Sequence, residues 1–161
     1  MYFLGSEKMN TINPLFVANN LLNLAFKEKI PVTPMKLQKL LYFIYRDYLQ
    51  KTKESLFSER FEAWKYGPVL SSVYSKFHQY ESNKITEYYK SRDGKVYILD
   101  EKSDYIFSEV LQSVWNQYKS WDGIQLCELT HKEGTAWYKA WTKNESFLKD
   151  EDIKSEVLLL E

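Results

Sequence analysis

Cys127 and His131 stand four residues apart in a stretch of helical character, a spacing that puts a thiol and an imidazole on one helix face. Such a pair has the makings of a nucleophile with its general base. The structural reading outweighs the catalytic one, because cysteine is among the most buried residue types and a histidine near a helix end can bond the last carbonyls. There is one cysteine in the chain and two histidines, His78 and His131, with no HExxH-type spacing, so a zinc site would need distant carboxylates to complete it. Asp47, Glu59 and Glu62 have no identifiable partner, and solvated faces account for them. The five glycines are scattered, and none belongs to a Walker-type or dinucleotide-binding pattern. The expectation is therefore no catalytic residue, no metal, no cofactor and no enzymatic activity.

Binding chemistry fares better. Trp64, Tyr66, Tyr74, Phe77 and Tyr80 form an aromatic cluster with two readings. Core is favoured for each ring, since stripes at helical spacing are normally buried, yet aromatic side chains are also enriched at interface hot spots. Rings make up 17% of the residues, which leaves a surplus to present to a partner. A helix-turn-helix can be drawn from Asp122 to Trp141, but its second helix, TAWYKAW, offers one Lys where a recognition helix normally offers Arg, Asn or Gln to base edges. Basic and acidic residues both number 22, so no overall field draws the chain to nucleic acid or anionic lipid. Neither partner is expected. The lone cysteine suits a reducing compartment, and neither a membrane-length apolar run nor a signal-peptide pattern is evident. The chain reads as cytoplasmic.

The elements that must position these residues are mostly helices. With 161 residues and 44% hydrophobic content, one domain without linkers or repeats is expected over 1–161, with residues 1–10 as a loosely ordered extension. Asn13-Pro14 opens a first helix to about Glu28, with Lys27 and Lys29 at its carbonyl end. Thr33-Pro34 opens a second, in which Leu37, Leu40, Leu41, Ile44 and Tyr48 recur at helical spacing. Its apolar face is wide, so it should be the central helix, about 34–50. Phe43 falls among Lys36, Lys39, Arg46 and Asp47 on the polar face; it either meets another element or is offered to a partner. Residues 60–66 stay undecided between strand and loop, and Gly67-Pro68 is read as opening a third helix through Tyr80. Asp93-Gly94 suits a type I′ turn, which predicts one small β-hairpin over about 86–99. Ser103 is expected to cap a fourth helix carrying Phe107, Val110, Leu111, Val114 and Tyr118. Asp122 and Gln125 form a capping box for a fifth, Thr135 caps a short sixth, and Asp150 caps a last one. The fold class is mainly α, within α+β.

Three motifs then stand out in order: Met35-Lys36-Leu37-Gln38-Lys39-Leu40-Leu41-Tyr42-Phe43; Glu62-Ala63-Trp64-Lys65-Tyr66-Gly67-Pro68-Val69 with Tyr74 and Phe77; and Leu129-Thr130-His131 with Ala136-Trp137. Together they resemble the Panacea antitoxin domain, the SocA/GepA-like family, over about Pro14 to Trp141. The resemblance implies a small helical protein of bacteria, prophages or phages that neutralises a cognate toxin by direct binding. Alternatives within it are an adaptor delivering the toxin to the ClpXP protease and a phage interaction module without a toxin partner. Some members carry an amino-terminal DNA-binding domain; this chain begins too close to its first helix to be expected to have one. The expected partner contacts are Lys39, Phe43 and Arg46, from the helix projection, and Trp64 and Tyr66, from the second motif.

Overall fold

The computed structural model describes residues 1–5 and 12–157; residues 6–10 of the expected extension and the tail 158–161 lie outside the described residues. Helix α1 (Pro14–Glu28) starts where Asn13 accepts a hydrogen bond from the Leu15 amide, with Pro14 in the first turn. It ends at Lys29, whose left-handed backbone lets its N–H reach the Ala25 carbonyl. Helix α2 (Pro34–Thr52) is capped by Thr33 in the same way and lies at the centre, touching elements on every side. Its burial is nearly all round: Leu37, Leu40, Leu41, Tyr42, Phe43, Ile44 and Leu49 are all closed to solvent.

Around α2 are arranged α3 (Ser71–Phe77), α4 (Tyr105–Tyr118), α5 (Gly123–Thr130), α6 (Ala136–Thr142) and α7 (Asp150–Ser155). The Asp122–Gln125 capping box forms as expected, and Thr135 caps α6. Asp104, one residue beyond Ser103, caps α4. No helix among the described residues is long and apolar enough to cross a membrane.

The strands differ from expectation in two places. The hairpin expected over 86–99 does not form. The turn is present, with the Ser91 amide bonded to the Lys95 carbonyl and Gly94 at φ +78, but its arms do not pair. The buried amide of Asn19 on α1 instead takes both the N–H and the C=O of Tyr89, at 2.9 and 3.0 Å. Strand β4 (Tyr97–Leu99) pairs in parallel with β1 (Tyr2–Leu4), Phe3 opposite Ile98, so the first residues supply a strand. Asn20 clamps the backbone of Leu99 with the same two-bond grip.

The second difference lies at the motif containing Gly67-Pro68. It opens no helix; β3 (Gly67–Val69) pairs antiparallel with β2 (Glu62–Trp64), Trp64 opposite Gly67, and Lys65 and Tyr66 form the tip of the hairpin. Helix α3 begins only at Ser71. Residues 146–148 pair with the outer side of β2, with the Ala63 amide bonded to Ser146 and the Leu148 amide to Phe61.

Candidate functional site

Three backbone carbonyls of the β2–β3 hairpin, those of Trp64, Tyr66 and Pro68, are engaged from outside the hairpin. Each is met by a side chain from a different helix. Trp137 Nε1 of α6 donates to the Trp64 carbonyl at 2.7 Å. Cys127 Sγ of α5 donates to the Tyr66 carbonyl at 2.9 Å. Lys39 Nζ of α2 donates to the Pro68 carbonyl at 3.1 Å. One step further on, the Gln38 side chain accepts from the Leu70 amide at 2.9 Å and donates to the Leu70 carbonyl at 3.0 Å. The three sequence motifs thus meet in a single clasp, the hairpin fastened to three helices.

Gly67 makes the close approach possible. Its φ of +110 lies where side chains are strained, and a Cβ there would stand 2.8 Å from Lys39 Cε and 2.8 Å from Thr130 Oγ1. Lys39 is consequently sealed at 1% exposure, and burial pulls its ammonium down to about 8.

Cys127 and His131 are brought together, Sγ to Nε2 at 3.5 Å, and the imidazole stacks on Trp137 at 3.9 Å between ring centres. Their electrostatics oppose activation. Burial raises the thiol, an effect that the charge of Lys39 only partly offsets. Burial, and then that same charge, lower the imidazole. Both groups are therefore held neutral, and the thiol's hydrogen is spent on the Tyr66 carbonyl. Among the described residues no three of His, Cys, Asp and Glu gather as a metal site.

The hairpin also forms one wall of a cleft of about 630 Å³, with the first turns of α2 and with α3 as the others. Met35, Val69, Val73 and Phe77 give it apolar walls. One rim is a line of rings: Trp64 meets Tyr74 edge-on at 4.8 Å, and Tyr74 stacks on His78 at 5.0 Å. Tyr66 and Tyr74 are 56% and 44% exposed, large areas for tyrosine in a folded chain.

Of the five expected contact residues, Trp64, Tyr66 and Lys39 line this cleft, Lys39 from beneath. Phe43 and Arg46 do not. Phe43 is 1% exposed and stacks on Tyr118 of α4 at 4.8 Å, so of its two open readings it is the meeting with another element that holds. Arg46 lies over that ring and bonds Glu156 at 3.1 Å in the interior. The helix projection misled because α2 is covered on what would be its polar face. The expected contacts did not include Met35, Val73, Tyr74 and His78, although Met35 opens the first motif and Tyr74 stands in both the second motif and the aromatic cluster.

Residues 37–138 match the family described as antitoxin SocA-like, Panacea domain. The chain belongs to that family. It is also 32% identical over 135 residues to Antitoxin SocA of Caulobacter vibrioides (strain NA1000 / CB15N), an alignment covering 82% of this chain and 72% of that protein. No solved structure matches the chain at a significant level. The Panacea match runs from α2 to α6, so all three donors of the hairpin clasp, Lys39, Cys127 and Trp137, lie inside it, as does most of the cleft.

Proposed function

We propose that this chain neutralises a cognate toxin by direct protein–protein binding, with the hairpin cleft as the toxin-binding face. Membership of an antitoxin family supports the antitoxin role. The observation that carries the choice of face is the aromatic rim of Trp64, Tyr66, Tyr74 and His78 over apolar walls, with the hairpin end of that rim fastened by the clasp. Neutralisation needs complementary surface and no chemistry, and an interface of about 800 Å² per partner can be centred there. Aromatic anchors at the middle of such an interface supply most of its affinity, and rigid ones lose less entropy on binding. Lys39 contributes by holding the hairpin, Phe43 and Arg46 by holding α4 and the carboxyl-terminal segment on α2.

Co-expression with the product of the adjoining gene tests the reading. The expected result is restored growth and a complex that co-purifies. Absence of both contradicts toxin pairing. Growth restored with a shortened toxin lifetime, dependent on ClpXP, assigns delivery to a protease in place of masking.

A further inference from the structure

The cleft is electrically uneven along its length. Lys39 in the floor and Lys65 on the rim stand at the hairpin end, and Glu81 stands at the far end, beyond α3. Lys39 carries its charge without a counter-charge. Its partners are the Pro68 carbonyl on β3 and, from α5, the neutral Cys127, while Thr130 closes over it and His131 is held neutral beside it. No carboxylate among the described residues lies within ion-pair distance of it. A buried cation left uncompensated is a standing cost, and its field reaches the adjoining cleft. Between the two charged ends the walls are apolar, Met35, Val69, Val73 and Phe77.

We propose that the cleft binds a peptide segment carrying Asp or Glu at the hairpin end, beside Lys39 and Lys65, followed by large apolar side chains seated on Val69, Val73 and Phe77. A small anion alone would leave the apolar walls uncovered, and a basic segment would be repelled where the cleft is deepest in charge. The incoming carboxylate supplies the counter-charge Lys39 lacks and favours its protonated form. This rests on the reading of the cleft as the toxin-binding face, yet it can be tested without the toxin.

A random peptide library displayed on phage is selected on the intact protein, and enriched sequences are synthesised. The expected sequences place Asp or Glu next to Leu, Ile, Phe or Trp. Replacing that acid by its amide, or Lys65→Glu in the exposed rim, weakens binding roughly three- to tenfold. Calorimetry at pH 8 in buffers of different ionisation enthalpy shows proton uptake on binding, as Lys39 regains its proton, and Lys39→Met removes that uptake. The inference is overturned by failure to enrich any peptide, by enriched peptides without an acid, by unchanged binding to Lys65→Glu, or by binding without proton uptake. Toxin pairing is scored separately. A toxin complex that forms while no acidic, apolar peptide binds refutes this inference alone. Peptide binding without a toxin complex refutes the pairing and leaves the peptide site standing.

Discussion

Lys39 shows how one residue serves the clasp at a cost to the fold. Its ammonium fixes the Pro68 carbonyl, but burial shifts its titration from 10.5 to about 8, a penalty on the order of 3 kcal/mol for keeping it charged. The sign follows from proton counting. Between pH 8 and 10.5 the unfolded chain keeps the proton that the folded one has released, so stability rises with pH across that window. Buried Tyr42, Tyr45 and Tyr118, whose hydroxyls burial pushes up, add the opposite trend above pH 10, so a difference measurement is needed. Comparing urea unfolding of the wild type with Lys39→Met cancels them. The wild type should gain on the variant by up to about 3 kcal/mol as pH rises from 7 to 10. A constant difference would show that burial does not lower the titration of Lys39 in the folded chain. Cys127 is the same lesson in reverse, a group with a reactive neighbour whose hydrogen is committed to a carbonyl.

The hairpin of β2 and β3 depends on Gly67, where strain and crowding coincide. Gly67→Ala places a methyl group against Lys39 Cε and Thr130 Oγ1, and it should lower stability by about 2 kcal/mol or more, read as a fall in the urea midpoint. An unchanged midpoint would mean the hairpin shifts without loss. Elements whose signals are local were legible in the sequence: Asn13, Thr33, Asp122 with Gln125, and Thr135 all cap helices, because a cap is a contact across two or three residues. Elements settled by distant partners were not. Asp93-Gly94 does make its turn, but whether its arms pair was decided by Asn19 on α1, and β4 found its partner in Tyr2–Leu4 at the other end of the chain. Phe43 was misplaced for the same reason, since a helix projection assumes one solvent face and α2 keeps almost none. Part of the candidate site was readable: Met35, Lys39, Trp64, Tyr66 and Tyr74 lie in the motifs, whereas Val73 and His78, outside them, reach the cleft because α3 packs beside the hairpin.

Across the whole molecule, α2 is held from two directions. The hairpin clasp secures its first half, and a buried carboxylate secures its second. Glu156, just after α7, accepts from Tyr42 Oη at 2.6 Å, from Arg46 Nη1 at 3.1 Å and from the Ala136 amide at the start of α6 at 2.9 Å. Gln50 adds bonds to the carbonyls of Ile153 and Glu156. Glu156→Ala leaves the buried Arg46 and Tyr42 without that partner and should cost about 3–5 kcal/mol. Hydrogen exchange should show the loss first in α6 and α7, because both are fastened through that carboxylate; protection retained there would refute its role.

This architecture brings three separated motifs together at one rim, the proposed seat of the toxin. Calorimetric titration of the adjoining gene's product into the wild type, Tyr66→Ser and Tyr74→Ser tests it most directly, since both rings are exposed and neither supports the core. Each substitution should weaken the complex at least about tenfold, the loss of one aromatic anchor, with the thermal midpoint unmoved. Wild-type affinity in both variants would contradict the account.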